Sequence, residues 1–108
     1  MLVIDKENFE AEVVNSGLPV VVDLWGPKCG PCLALMPEVE ALAEQYGQKI
    51  KFGKVNVMEN RRLAIALKVM SVPTFLFYLK GERKETITGD EVTIEAIRAG
   101  TERLVTQQ

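Results

Sequence analysis

Histidine is absent from this sequence of 108 residues, and several other residue types are scarce. The chain has two cysteines, one tryptophan and 6% aromatic residues in total. Without an imidazole, no Ser-His or Cys-His catalytic pair and no His-ligated metal site can form. A structural zinc site ordinarily takes four ligands, and here only carboxylates could complete one around the two thiols. The sequence therefore predicts no bound metal.

Long apolar runs and a strong charge of one sign are also missing. No segment approaches the roughly 18 uninterrupted apolar residues that a membrane-spanning helix needs. Acidic residues interrupt the N-terminal segment MLVIDKENFEAEV, so it does not resemble a signal peptide, and we expect a cytoplasmic protein. A net charge of −2, with 26% charged residues of mixed sign, indicates a protein that binds neither nucleic acid nor a membrane.

The apolar fraction of 47% suits one compact domain spanning residues 1–108. Short periodic segments between single glycines and prolines predict the order β-α-β-α-β-α-β-β-α. These segments are a strand at 2–4, a helix capped by Asp5, a strand at 19–25, a helix at 30–46, a strand at 49–57, a helix at 59–69, strands at 74–79 and 83–88, and a helix capped by Thr93. We expect a mixed sheet with helices on both faces, the apolar segment 19–25 at its centre and its last two strands antiparallel.

Both cysteines lie in the segment WGPKCGPC, residues 25–32. If a helix begins near Gly30, Cys29 lies at its N-terminus, where free N–H groups and the helix dipole favour a thiolate. Pro31 suits the first helical turn, because its missing N–H would have no partner there. Cys32 follows one turn later on the same side, close enough to form a disulfide. The pattern predicts a redox dithiol in which Cys29 attacks a partner's disulfide and Cys32 resolves the mixed disulfide.

A static disulfide and a pair of inert thiols are the alternatives to a redox role. A disulfide that closes so short a loop restrains the unfolded chain little, and a cytosolic setting disfavours persistent disulfides. The glycine and prolines around the cysteines are typical of a turn rather than of a core. We therefore favour the working dithiol.

Asp23 interrupts the apolar strand VVVDLW, and burial there should raise its pKa. From the residues alone two roles stay open: an acid/base group for Cys32, or a structural aspartate held by hydrogen bonds. Lys54 is a possible partner, since it shares the parity of Phe52 and would point inward with it. The alternation is interrupted at Gly53, so a solvated lysine is the alternative.

Together, VVVDLWGPKCGPC, KVNV, SVPTF and a glycine at position 89 resemble the thioredoxin family over roughly residues 20–105. The resemblance implies the thioredoxin fold, an α/β fold with a central mixed sheet of about five strands flanked by about four helices. It also implies a protein-disulfide reductase and electron carrier without a bound cofactor. Its partners would be a thioredoxin reductase and disulfide-containing proteins, and we expect a monomer.

The resemblance also implies roles for individual residues. The catalytic residues would be Cys29, Cys32, Asp23 and Lys54. The substrate-binding residues would be Trp25, Lys28, Gly30, Pro31, Val72, Pro73 and Gly89. Pro73 would follow a cis peptide bond and face the dithiol, presenting the backbone of Val72 to an extended partner segment. Gly89 would border the same groove, where the lack of a side chain lets a partner approach.

Lys28 departs from the family, which usually has a second tryptophan immediately before the first cysteine. A positive charge there should lower the pKa of Cys29, favour encounters with acidic partners and make the redox couple slightly more oxidising. Leu33 adds an apolar position beside Cys32. The segment VMENRR lacks the aspartate and proline often found in this loop, so we expect recognition by the usual reductase to differ.

Two other functions fit parts of the sequence. Lys28 favours a disulfide oxidase or isomerase. The missing signal peptide argues against this function, as does the Gly-Pro insert between the cysteines, which in the family is similar to that of reductants. A redox-independent binding module would use the groove beside Pro73 to dock on a larger assembly. Replacing both cysteines with serine separates these classes, because a reductase then loses all turnover and a docking module keeps its partner.

Overall fold

Strands and helices alternate along residues 1–108, all of which the computed structural model describes. The strands are β1 (Leu2–Val3), β2 (Val20–Trp25), β3 (Lys51–Asn56), β4 (Thr74–Leu79) and β5 (Glu82–Thr88). The α-helices are α1 (Gly30–Tyr46), α2 (Arg61–Ala66) and α3 (Ile94–Thr106). A π-helical segment covers Glu10–Val14, and a single 3-10 turn covers Gly89–Glu91.

The five strands form one mixed sheet in the order β1-β3-β2-β4-β5. Strand β3 is parallel to β1 and β2, whereas β4 is antiparallel to β2 and β5. The central strand is β2, and its residues from Val20 to Leu24 are all buried. The α/β fold predicted from the sequence, with its parallel early strands and antiparallel last pair, is confirmed.

Apolar side chains alternate between the two faces of the sheet and form two separate core clusters. On one face Val21, Phe75 and Phe77 pack with residues of α1 and α3, including Val39, Leu42, Ile97 and Leu104. On the other face Val20, Leu24 and Leu76 pack against the π-helical segment and the end of α2, through Val13 and Leu67. The helices thus cover both faces, as an apolar central strand requires.

Helix caps and turn residues explain why several helices and strands begin and end where the sequence predicts. Helix α1 covers residues 30–46, with Pro37 inside it, and Gly47 follows it with φ +55. The side chain of Thr93 accepts a hydrogen bond from the N–H of Ala96 and caps α3. Lys80 and Gly81 both have positive φ, 52° and 80°, in the two-residue connection of the β4–β5 hairpin.

Two helices differ from their predicted form. Asp5 does cap the first one, since its Oδ1 accepts hydrogen bonds from the N–H groups of Glu7 and Asn8. However, the segment Glu10–Val14 of that helix is a π-helix and not the α-helix that the sequence predicted. Helix α2 covers six residues instead of the predicted 59–69, because the chain turns at Lys68, which has φ +61.

Candidate active site

The two cysteines lie at the N-terminus of α1, directly after the central strand β2. A disulfide joins them, with their Cα atoms 5.3 Å apart. Cys29 is the N-cap of α1, and its Sγ accepts a hydrogen bond of 3.2 Å from the N–H of Cys32. This sulfur therefore lies where the free N–H groups of the first helical turn point, the position that stabilises a thiolate when the bond is reduced.

The two cysteines differ in their exposure to solvent. Cys32 is 2% exposed, whereas Cys29 is half-buried. The turn that carries Cys29 is closed by a hydrogen bond of 3.1 Å from its N–H to the carbonyl of Gly26. The residues around Cys29, namely Lys28, Gly30 and Pro31, are all exposed. A partner can thus reach Cys29 but not the buried Cys32.

Asp23 is 3% exposed and lies on β2, two residues after Val21 and on the face that α1 covers. Loss of water raises the pKa of its carboxyl from 3.8 to about 7, and the nearby charge of Lys54 opposes part of that rise. Hydrogen bonding does not contribute to this shift, and neither carboxyl oxygen is an enclosed atom left without a partner.

Lys54 lies opposite Asp23 in the register of β2 and β3. The alternation of β3 continues through Gly53, whose missing side chain leaves room for Ile4 on the other face of the sheet. Lys54 consequently shares the face of Phe52, and it is half-buried there instead of fully solvated. Its Nζ lies 6.0 Å from the centroid of the Trp25 ring, at the end of β2.

Val72 and Pro73, two of the predicted substrate-binding residues, lie on the loop between α2 and β4. The Val72–Pro73 bond is cis, and Pro73 is buried. A side chain built on Gly26 would approach Val72 Cγ2 to 3.9 Å, so Val72 borders the loop that leads to Cys29. The N–H and C=O of Val72 make no hydrogen bond within the protein. They are free to pair with another chain.

Gly89 joins the same loop through its N–H, which donates a hydrogen bond of 3.3 Å to the carbonyl of Pro73. Its φ is +61, in the left-handed region where glycine is least strained. A side chain at this position would meet no atom within 4 Å. The backbone conformation therefore explains glycine here, since the space around it would admit a side chain.

An exposed apolar groove of about 400 Å³ adjoins Val72, and the sequence analysis did not identify it. Met70 and Ile65 on its rim are 94% and 72% exposed. Seven of the residues that line the groove are apolar and two are polar: Val57, Met58, Ala64, Ile65, Val69, Met70 and Val72, with Arg61 and Ser71. Only part of its signal was available in the sequence: Ile65 lies off the helical spacing of the inward-facing Leu63 and Leu67, whereas Met70, seven residues after Leu63, keeps that spacing.

A helix-capping disulfide between one partly exposed and one buried cysteine is suited to thiol-disulfide exchange. Together with this fold, it defines the protein as a thiol-disulfide oxidoreductase that acts on protein disulfides. The family model described as Thioredoxin matches residues 1–102. The chain belongs to the thioredoxin family.

Individual relatives agree with the family. A thioredoxin of Peptoclostridium acidaminophilum is 45% identical over 96 residues, covering 89% of this chain and 87% of the relative. A thioredoxin of Acetoanaerobium sticklandii is 36% identical over 99 residues, covering 92% and 94%. The chloroplastic thioredoxin M5 of Oryza sativa is 38% identical over 89 residues, covering 82% and 52%. None of the helices in this chain combines the length and apolar character that crossing a membrane requires.

Proposed function

We propose that the protein is a dithiol reductant of other proteins' disulfides, with Cys29 as the attacking thiol and Cys32 as the resolving thiol. The observation that carries this assignment is the asymmetry of the pair. Cys29 caps α1 and is accessible, whereas Cys32 is 2% exposed and is reached only through Cys29. The disulfide oxidase or isomerase is not favoured, because the relatives that match this chain are thioredoxins.

The reaction consists of two exchange steps. The Cys29 thiolate attacks one sulfur of the partner's disulfide, the new S–S bond forms as the old one breaks, and the partner's other sulfur leaves as a thiolate. Cys32 then loses its proton and attacks the Cys29 sulfur, which closes the Cys29–Cys32 bond and releases the partner's second thiolate. Two electrons pass from the dithiol to the partner, and a thioredoxin reductase returns them to the protein.

Asp23 is the group that takes the proton of Cys32, directly or through a water. A carboxyl with a pKa of about 7 can exchange a proton near neutral pH, and Lys54 opposite it favours the ionised form.

Because only the ionised carboxylate of Asp23 accepts a proton, the resolving step should accelerate as the pH rises through about 7. In Asp23→Asn this acceleration should vanish while attack by Cys29 persists. Stopped-flow decay of the mixed disulfide between pH 6 and 9 measures it, and an unchanged pH profile contradicts the role.

The surface around the cysteines would bind the partner. The proposed contact residues are Trp25, Lys28, Gly30, Pro31, Val72, Pro73 and Gly89. Val72 supports this most directly, because its free N–H and C=O can pair with an extended segment of the partner. The adjoining groove at Ile65 and Met70 would take an apolar side chain of that segment.

The remaining assignments follow from this function. The chain forms a single domain over residues 1–108 and works as a monomer without a bound cofactor or metal. Its partners are a thioredoxin reductase and disulfide-containing proteins, and not nucleic acid or a membrane. We place it in the cytoplasm, although chloroplast proteins such as the rice thioredoxin are among its relatives. Fractionation of cells that express the full gene tests this location.

Serine variants test the reductase directly, with insulin as the protein disulfide and dithiothreitol as the electron source. The wild type should accelerate insulin reduction, and Cys29→Ser should abolish the acceleration. Reduced Cys32→Ser that is freed of dithiothreitol and then mixed with insulin should instead accumulate a mixed disulfide, visible by mass spectrometry, because the resolving thiol is missing. Turnover by a Cys29→Ser, Cys32→Ser variant would exclude this mechanism. Unimpaired binding of a physiological partner by the same variant would indicate a docking module.

A further inference from the structure

Three hydroxyl groups meet beside Val72, and the mechanism above uses none of them. Thr74 Oγ1 donates a hydrogen bond of 2.7 Å to the backbone carbonyl of Ser71. Thr88 Oγ1 lies 2.8 Å from Thr74 Oγ1 and 3.1 Å from Ser71 Oγ. Thr74 is 2% exposed, whereas Ser71 and Thr88 are exposed.

The number of protons decides the direction of each bond. A hydroxyl has one proton, and that of Thr74 goes to the Ser71 carbonyl, which can only accept. In its contact with Thr88, Thr74 therefore accepts, and the proton of Thr88 is used there. Thr88 must then accept from the hydroxyl of Ser71. The bonds run Ser71 to Thr88, Thr88 to Thr74, and Thr74 back to Ser71, so they close a ring.

The ring encloses the loop that presents Val72. Ser71 precedes Val72 and Thr74 follows Pro73, so the ring joins both ends of this short loop to Thr88, the last residue of β5. A further hydrogen bond, from the N–H of Gly89 to the carbonyl of Pro73, lies next to it. Between these attachments the N–H and C=O of Val72 have no partner of their own. Because the Val72 backbone is already held in place, it loses less conformational entropy when a partner segment binds to it.

We propose that Thr88 is a positioning residue for substrate binding: its hydroxyl closes the ring and holds the Val72 backbone in the orientation that pairs with a disulfide-bearing segment. This inference rests on the proposed function. It assigns Thr88 no contact with the reacting sulfurs, so it concerns the binding of protein disulfides and not the exchange chemistry. Because two of the three hydroxyls are exposed and can bond to water, the effect of losing the ring is modest.

The variant Thr88→Val keeps the branched shape of the side chain and removes the contacts of the Thr88 hydroxyl with Ser71 and Thr74, together with its part in the capping box with Glu91 at the Gly89–Glu91 turn. Thr88→Ser keeps the hydroxyl and should restore the wild-type behaviour. Thr86→Val is the matched control, since Thr86 lies two residues earlier on β5, is exposed and makes no side-chain hydrogen bond. Single-turnover reduction of insulin by each reduced protein, quenched by alkylation, gives the half-saturating insulin concentration and the maximal rate without a reductase.

In Thr88→Val the half-saturating insulin concentration should rise about fivefold, the size expected for one or two neutral hydrogen bonds, with the maximal rate unchanged. Reduction of the small probe bis(2-hydroxyethyl) disulfide, which has no segment to pair with Val72, should not change. An unchanged insulin dependence overturns the inference. So does an equal slowing with both disulfides, or the same effect in Thr86→Val. If the wild type itself reduces neither disulfide, the proposed function fails instead.

Discussion

At Asp23, burial and charge act in opposite directions on one carboxyl. Removal from water disfavours its ionised form, and the charge of Lys54 restores only part of the loss, so its pKa rises from 3.8 to about 7. An unfolded chain would return this carboxyl to water, where its pKa is near the ordinary value. The same displacement that suits it to proton transfer therefore destabilises the folded protein whenever the carboxyl is ionised.

Asp23→Asn should stabilise the protein in a pH-dependent way. The wild type loses stability as the pH rises from 3.8 to about 7, by at most roughly 4 kcal/mol at about 1.4 kcal/mol per tenfold change. The neutral amide avoids that loss, so its advantage should grow across this interval and level off above it. Guanidinium unfolding at pH 4, 6 and 8 measures it, with the exposed Asp90→Asn as control. An advantage independent of pH would contradict the argument.

Lys28 is exposed and directly precedes Cys29. We expect its positive charge to favour the thiolate, so Lys28→Trp should raise the pKa of Cys29 and make the redox couple less oxidising. The rate of iodoacetamide alkylation against pH measures the first effect, and equilibration with glutathione measures the second. Lys28→Gln removes the charge without adding an aromatic ring, so it distinguishes the effect of the lost charge from the effect of the tryptophan side chain. An unchanged or lower pKa in both variants would remove the idea.

At the scale of elements, the packing of α3 on the sheet depends on one close approach. Gly100 of α3 is buried, and a Cβ built on it would lie 2.7 Å from the Cε2 and Cζ atoms of Phe77 in β4. Phe77 is itself fully buried, so its ring has no free space to occupy. Glycine at this position lets the helix backbone rest directly on the aromatic ring.

Gly100→Ala should have two opposite effects on the free energy of unfolding: a gain from helix propensity and a larger loss from overpacking. Alanine is favoured over glycine in a helix by about 1 kcal/mol, whereas overpacking a core costs about 1 to 3 kcal/mol. Because the contact is with a rigid, enclosed ring, we expect a net loss of about 1 kcal/mol in the free energy of unfolding. Urea denaturation measures it. Ala99→Gly, at the exposed neighbouring position, shows the propensity term alone. A variant more stable than the wild type would show that Phe77 can move aside.

At the scale of the whole molecule, both edges of the sheet are protected against pairing with another copy. Strand β1 at one edge is two residues long. Strand β5 at the other edge begins with the charged run Glu82–Glu85. Short strands and edge charges are the usual means by which proteins avoid edge-to-edge association. The exposed groove at Ile65 and Met70 is the one apolar surface described above that could still bring copies together.

Sedimentation equilibrium should therefore give a monomer of 12.0 kDa, with or without reductant, over the micromolar range. A dimer that disappears with reductant would indicate an intermolecular disulfide. A dimer that persists with reductant but is lost in Ile65→Ser would assign association to the groove. Either dimer would contradict the expectation of a monomer, and the variants would show which surface is responsible.

Much of the fold follows from signals that are local in the chain. The bounds of α1 were predictable because Cys29-Gly30-Pro31 starts a helix and Gly47 stops it, within segments of a few residues. The buried β2 was equally clear from its apolar run. The predicted end of α2 was too late, since the conformation of Lys68 is not encoded by apolar spacing, and the helix also begins later than predicted, at Arg61.

The chemistry of the dithiol follows from local sequence alone, because the spacing of Cys29 and Cys32 and the helix start between them are local. The surroundings of the dithiol depend instead on the tertiary structure. Lys54 faces the carboxyl of Asp23 through strand register, and the loop at Val72 meets Thr88 through the β4–β5 pairing. These neighbours come from distant parts of the chain. Packing sets the distances between them, and burial raises the pKa of Asp23. Neither effect can be read from a local sequence pattern.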